Sequence, residues 1–478
     1  MSAFSEYFMM IKNRRNLTGA QIAEMCDKET SMVFHWLSGT RYPNEWKLME
    51  DVVEKLKLSG DEYQKLKDAY KRTVLGESDY TCHKKIMEIF QLLKERRDEY
   101  AGLQEEKNMD VRDVRLPEFI KLNGKMEILV WLQRSLDYLS MQRKRNVLLN
   151  FQNSHQEVIL LLKMFCSKIK DCKLEEIVYL CREENVSNAL NLEVLKDIIE
   201  MLVQKNTIDI YYLEELDYEK GFAENWIISD DFLILYDAEL TNGMLTTNRE
   251  WIDNYKDSFE KLKKISDGLG RKECGALEYK KEQELRECTC YSMEYMPFFW
   301  HCLTEEVLEK HIYKEVSNRA NLIQSISQNN LKKNKNSEFL WNSFFSRKGY
   351  IEFMETGRIE KFPYTIYQKP TLQTRCEIMQ MCIDSAKEGR LNYFMIKEGE
   401  LPEMQNLYIE QVWGNQKKLF INMFLEEGVY ERFEIKDGGL QQQFLIFFEY
   451  LEKYGYIYNA EETLSYMEQM LEEYKKRL

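Results

Sequence analysis

The sequence predicts an α+β protein of several domains, in which a small all-α head precedes a large α/β body made of two halves of similar pattern. Three observations lead there. At roughly 150 residues per domain, 478 residues leave room for about three cores. With 44% apolar and 31% charged residues but only 20 Gly and 6 Pro, the chain is folded and helix-leaning, neither disordered nor dominated by linkers. Apolar spacing is helical up to about residue 76, and beyond about residue 120 it alternates between short β-rich runs and helical ones. The expected units are therefore 1–76, a connecting helix and linker at 77–120, and two α/β units at 121–270 and 271–478.

Charge and cysteine usage narrow the class. No run of about 18 uncharged apolar residues occurs, and the start MSAFSEYFMMIKNRRN mixes charge into its apolar positions, so neither a membrane span nor a secretory signal is expected and the cytoplasm is the expected compartment. The 67 basic and 81 acidic residues give a net charge of −14, which repels nucleic acid unless the cations are segregated. Residues 1–76 hold twelve bases against eleven acids, a net of +1, and the other 402 residues carry −15. Eleven irregularly spaced cysteines show no disulfide framework and fit reduced thiols.

In the head, Phe4, Tyr7, Phe8 and Ile11 form the stripe of a first amphipathic helix, with Lys12, Arg14 and Arg15 at its end. Thr18 and Gln21 make a capping box that starts a second helix with Ile22, Ala23 and Cys26 on its apolar face. After a tight turn at Asp27 and Lys28, Val33, Trp36 and Leu37 mark a third helix, stopped by Gly39 and Pro43. Trp46, Met49, Val53 and Leu56 supply a fourth helix, and Tyr63, Leu66 and Tyr70 a fifth.

Two short helices joined by so tight a turn make a helix-turn-helix. The run LTGAQIAEMCDKETSMVFHWLSGTRYP resembles the XRE family, the Cro and phage-repressor type of DNA-binding domain, over about residues 4–75. The chain departs from that family at two places: Asp27 stands at a turn position usually held by Gly, and Gly19 where a phosphate-binding Gln is common. The resemblance implies a sequence-specific transcriptional regulator that binds double-stranded operator DNA as a homodimer. It puts Thr30, Ser31 and His35 against base edges in the major groove. Phosphate contacts fall to Lys12, Arg14, Arg15, Lys28, Arg41 and Lys47, which set register without reading sequence.

The body begins with a helix at 80–105, where Ile86, Ile89, Phe90 and Leu93 are helically spaced, followed by a polar linker that closes on Pro117. Strands are expected at VLLNF, EIVYL and IDIYYL, with helices between them, then a hairpin of WIISD and FLILYD and a closing helix NREWIDNYKDSFEKLKKI. Further on, FLWNSFFSRKGYIEFMETG and TLQTRCEIMQMCIDSAK read as helices, LNYFMI, NLYIEQVW, KLFINMF and YERFEIK as strands, and two helices end the chain. The hairpin-then-helix endings of the two halves echo each other. The body is expected to sense a small molecule or peptide, or to mediate assembly, with dimerisation through the body or the 80–105 helix.

No catalytic residue, metal or cofactor is expected. Glycine-rich phosphate loops, the G-x-S-x-G elbow and H-E-x-x-H are all missing from the sequence. Cys288, Cys290, His301, Cys302 and His311 contain soft and imidazole ligands, but their spacing matches no zinc knuckle and the Met, Phe and Trp between them read as core. Lys332, Lys333 and Lys335 read as a solvated loop. The alternative reading is an effector enzyme or interaction module carrying a helix-turn-helix address. Turnover by residues 120–478, or failure to bind DNA at low salt, would favour it.

Overall fold

The structure is a computed structural model that describes residues 1–102, 115–142, 146–150, 156–168, 172–181, 187–201, 207–214, 224–276, 288–335, 340–362, 365–389, 391–424 and 429–478. Five helices occupy the start of the chain: α1 (Ala3–Arg14), α2 (Gly19–Met25), α3 (Thr30–Ser38), α4 (Lys47–Lys55) and α5 (Gly60–Leu75). Three of the five starts are capped by a side chain. The Ser2 hydroxyl accepts from the Ser5 amide, and Thr18–Gln21 and Ser59–Glu62 form reciprocal capping boxes that satisfy first-turn amides. Asp27 takes the left-handed turn between α2 and α3 at φ 51°, and Gly39 ends α3 at φ 75°. A side chain at Gly39 would place its Cβ 2.8 Å from the Ser5 hydroxyl, so only glycine lets α3 end against α1. Phe4, Phe8, Ile11, Ile22, Ala23, Val33, Trp36, Leu37, Met49 and Leu66 fill the shared core, and Val52, rather than the expected Val53, takes the fully buried place on α4.

The long helix α6 (Glu77–Gly102) leads into the body. Its Ile86, Ile89, Phe90 and Leu93 are buried against α9 (Ser187–Met201) and α15 (Gly438–Tyr450), so its apolar face is used within the chain and is not free for dimerisation.

The body is mixed α/β around one sheet of 14 strands. The first half comprises β1 (Phe119–Asn123), α7 (Lys125–Ser140), β2 (Asn146–Asn150), α8 (Gln156–Lys168), β3 (Lys173–Leu180), α9, β4 (Thr207–Glu214), β5 (Glu224–Ile228), β6 (Leu233–Asp237), β7 (Asn242–Thr246) and α10 (Arg249–Ile265). The second comprises β8 (Asp267–Ala276), β9 (Cys288–Met293), α11 (Glu305–His311), α12 (Arg319–Lys335), β10 (Leu340–Ser346), α13 (Arg347–Thr356), α14 (Leu372–Lys387), β11 (Leu391–Ile396), β12 (Leu407–Gly414), β13 (Lys418–Phe424), β14 (Val429–Ile435), α15 and α16 (Ala460–Lys475).

The strand order is β1-β7-β6-β5-β2-β3-β4 followed by β8-β14-β13-β12-β9-β10-β11, the same arrangement run twice. In each half three parallel strands are linked by helical crossovers, and an antiparallel meander lies beside the first of them. The halves join where β8 pairs antiparallel with both β4 and β14. Two sequence expectations change here. Residues 340–346, expected to be helical, form the parallel strand β10, because Trp341, Phe344 and Phe345 are buried on the two sides of a central strand. Edge strand β1 begins at Phe119, inside the expected linker that ends at 120, and neither it nor its partner β7 was expected as a strand.

The head is seated on the body through α4 and α5. The Trp46 amide donates to the Lys453 carbonyl (3.3 Å), and Gly455, at φ 68°, turns beneath the Trp46 ring, where a Cβ would come within 2.6 Å of the indole. Lys67, with a fully buried side chain, pairs with Glu400 at 2.6 Å, and Lys397 pairs with Glu50 at 2.8 Å. The buried Lys71 ammonium donates to the Tyr456 hydroxyl (2.5 Å), which also lies 3.1 Å from Nε2 of buried His83. Among the described residues no helix is long and apolar enough to cross a membrane.

Candidate nucleic-acid interface

Helix α3 packs chiefly against α1 and α2. Its stripe of Val33, Trp36 and Leu37 faces inward, held in part by the edge-on contact of Trp36 with Phe8 at 6.4 Å. Helical spacing then forces Thr30, Ser31, Phe34, His35 and Ser38 onto the opposite side, and all five are exposed. Thr30, Ser31 and His35, the positions expected to read bases, therefore share one accessible face. His35 is oriented there: its Nδ1 lies 2.8 Å from the Thr40 hydroxyl, which leaves Nε2 as the ring's outer polar atom.

Phe34, 54% exposed, belongs to the same face and was missed by a reading that sought polar side chains. The available signal was its place outside the Val33–Trp36–Leu37 stripe. The ring leans over the start of α2, where a Cβ on Gly19 would approach it to 3.3 Å. Gly19 is buried and supplies no side-chain amide for phosphate.

The six cations expected to contact phosphate divide into two groups. Lys12, Arg14 and Arg41 form no ion pair among the described residues, and Arg14 and Arg41 are exposed. The other three have partners within the fold. Arg15 pairs with Glu62 at 2.8 Å and donates to the carbonyls of Leu56 and Lys57, bracing α1 against the α4–α5 turn. The same pair, with the Ser59 amide, holds the Glu62 carboxyl below the usual carboxylate range. Lys28 is paired with Asp51 at 3.0 Å and Lys47 with Glu462 of α16, on the body side.

Elsewhere, a cavity of about 470 Å³ opens between α5, α6 and α9, with Lys71, His83 and Tyr456 in its wall. Burial pushes Lys71 down to about 8 and His83 down to about 3, so the imidazole there is neutral. In the second half Lys361 pairs with buried Glu294 at 2.9 Å above the Tyr408 ring, and Tyr408 donates to Glu410 at 2.5 Å. This is an interior polar network assembled from distant strands.

The cysteine-rich segment does not converge as a unit. Cys288, Cys290 and Cys302 are buried in the core of the second half, while the candidate grouping is His301, Cys302 and the distant Cys382, whose ligand-type atoms lie within 4.8 Å of one another. His311 at the end of α11 is not part of it. Lys332, Lys333 and Lys335 stand at the end of helix α12 and not in the expected loop; their side chains lie outside the described residues.

No protein-family model and no curated protein matches the sequence. Among solved structures, similarity is found to a polyphosphate kinase from Porphyromonas gingivalis, at 9% identity and TM-score 0.23 over 69% of this chain and 50% of that one. It is also found to TrmBL2, an archaeal chromatin protein described as having a novel mode of DNA binding, at 11% identity and TM-score 0.21 over 53% and 88% of the two chains. A phosphatidylserine synthase from Haemophilus influenzae Rd KW20 matches at 9% identity and TM-score 0.21 over 75% and 93%. The chain thus spans half the length of the polyphosphate kinase, and at these TM-scores the likenesses carry no functional argument.

Proposed function

We propose that the protein is a sequence-specific regulator of transcription that binds double-stranded DNA through α3 as a homodimer, its XRE-like helix-turn-helix head at 1–76 carried on an α/β body that senses or assembles. One observation carries the reading: a short helix, preceded by a tight turn, presents Thr30, Ser31, Phe34 and His35 on an open face while its opposite face is fully packed. Arg14 and Arg41 supply unpaired cations for phosphate, and the body's negative charge keeps the rest of the molecule off the duplex. Dimerisation fits this reading because one helix reads few base pairs and two half-sites multiply affinity. The cavity at the base of α5 is where an effector would bear on the seat of the head.

The test is enrichment of genomic DNA fragments by the purified full-length protein at two salt concentrations, so that specific sites separate from electrostatic background. Recovery of a common sequence at the higher salt is expected. Fragments enriched without any shared sequence, or none retained even at low salt, would overturn the proposal.

A further inference from the structure

The crossover between β9 and β10 begins with a 3₁₀ turn, Trp300–Cys302, that packs against α14. Their meeting brings the Cys302 and Cys382 sulfurs to 3.6 Å, both buried and neither in a disulfide. In a tetrahedral zinc site, metal–sulfur bonds of about 2.3 Å hold two sulfurs about 3.8 Å apart, so this separation already suits a shared metal. The preceding His301 brings a ring nitrogen within 4.8 Å of both sulfurs. Its ring is fixed by stacking on Phe298 at 5.8 Å and 10°. His301 is only partly buried as a residue, but both of its ring nitrogens are turned away from solvent, toward the interior where the sulfurs lie.

From this geometry we infer a binding site for one soft, zinc-class divalent cation, ligated by the Cys302 and Cys382 thiolates and a His301 ring nitrogen, with a water molecule as the fourth ligand. Binding exchanges two thiol protons for one cation: each S–H bond gives way to a metal–sulfur bond, and both protons leave to solvent. Nothing is oxidised. Tyr393 lies beside the pair, where its hydroxyl donates to the Phe298 carbonyl at 2.6 Å and is also in hydrogen-bond contact with Cys382, a contact the Cys382 thiol gives up as donor when it loses its proton to bind the cation. A cation here would staple the β9–β10 crossover to the helix that leads into β11, deep in the second half and far along the fold from α3. The inference is independent of DNA binding.

The experiment uses the full-length protein, stripped with a chelator under reducing conditions and titrated with Zn²⁺ and then Cd²⁺. Expected are one metal per chain by mass spectrometry, a thiolate-to-cadmium ultraviolet charge-transfer band, and protection of two cysteines from alkylation. Cys382→Ser and His301→Gln should each lower zinc affinity by more than the roughly 10–100-fold typical of losing an outer-shell partner. Cys376→Ser, an equally buried change on the same helix, should leave it unaltered and so controls for folding. Substoichiometric metal in the folded wild type, binding unchanged in a Cys302→Ser/Cys382→Ser double variant, or a disulfide formed in place of metal uptake would each overturn the site.

Discussion

The side chains on the outer face of α3 differ in what they can read. Thr30 and Ser31 donate or accept and so discriminate weakly, whereas His35 has one ring nitrogen fixed by Thr40 and presents the other in a defined direction. His35→Ala should therefore alter preference at one base position by about 1–3 kcal/mol and leave the others intact in a selection from randomised DNA. Arg41→Ala should instead weaken binding to all sequences and lower the slope of log affinity against log salt by about 1. Identical selection profiles before and after the His35 change would remove it from the reading surface. At this scale the sequence was informative about exposure, since the 3.6-residue period places Thr30, Ser31 and His35 opposite Val33 and Trp36. It gave no sign of the ion pairs of Arg15, Lys28 and Lys47, whose partners Glu62, Asp51 and Glu462 lie 47, 23 and 415 positions away. Ion pairing over such separations leaves no local pattern.

Among the elements, α1, α2 and α5 were legible from their side-chain caps and α3 from the left-handed Asp27 and Gly39 that bound it, whereas α4, which starts at Trp46 without a side-chain cap, was legible only from its apolar spacing. Strand β10 was not, because a fully buried parallel strand has no alternation and runs into α13 without a break, so FLWNSFF reads like the first turns of a helix. The seat between α4–α5 and the 450–462 segment was equally invisible in sequence. Gly455→Ala tests it: the new Cβ meets the Trp46 ring in a left-handed backbone position, with an expected loss of about 1–3 kcal/mol in denaturant unfolding. Beside the seat, His83 is buried among Phe447, Tyr454 and Tyr456 with the Lys71 ammonium nearby, and its pKa is lowered to about 3. Between pH 6.5 and 3 the unfolded chain takes up a proton that the native imidazole refuses. Stability conferred by neutral His83 is thus present above pH 6.5 and lost as the pH falls through that window. His83→Phe should flatten that part of the acid limb in chemical denaturation measured from pH 7 to 4, and an unchanged limb would refute the assignment.

Across the whole molecule, the body's two halves share one hydrogen-bonded sheet through β8, which faces β4 on one side and β14 on the other. The halves should therefore unfold together, as a single calorimetric transition whose van't Hoff and calorimetric enthalpies agree. Two resolved transitions would show the β8 seam to be weaker than its ladders indicate. The repetition of strand order was only dimly legible, in the two hairpin-then-helix endings, because topology is conserved by backbone pairing and needs no recurring letters. The seat of the head has a last consequence, for operator geometry. Contacts from Trp46, Lys67 and Lys397 deny α3 a swinging tether, so in the proposed DNA-bound dimer the gap between the two copies of α3 would be dictated by protein and not negotiated by DNA. Inserting or deleting two base pairs at the centre of a palindromic site rotates one half by about a fifth of a turn. A flexibly hung head would absorb that phase error, whereas this one should lose nearly all of its cooperative grip in a gel-shift series of spacers.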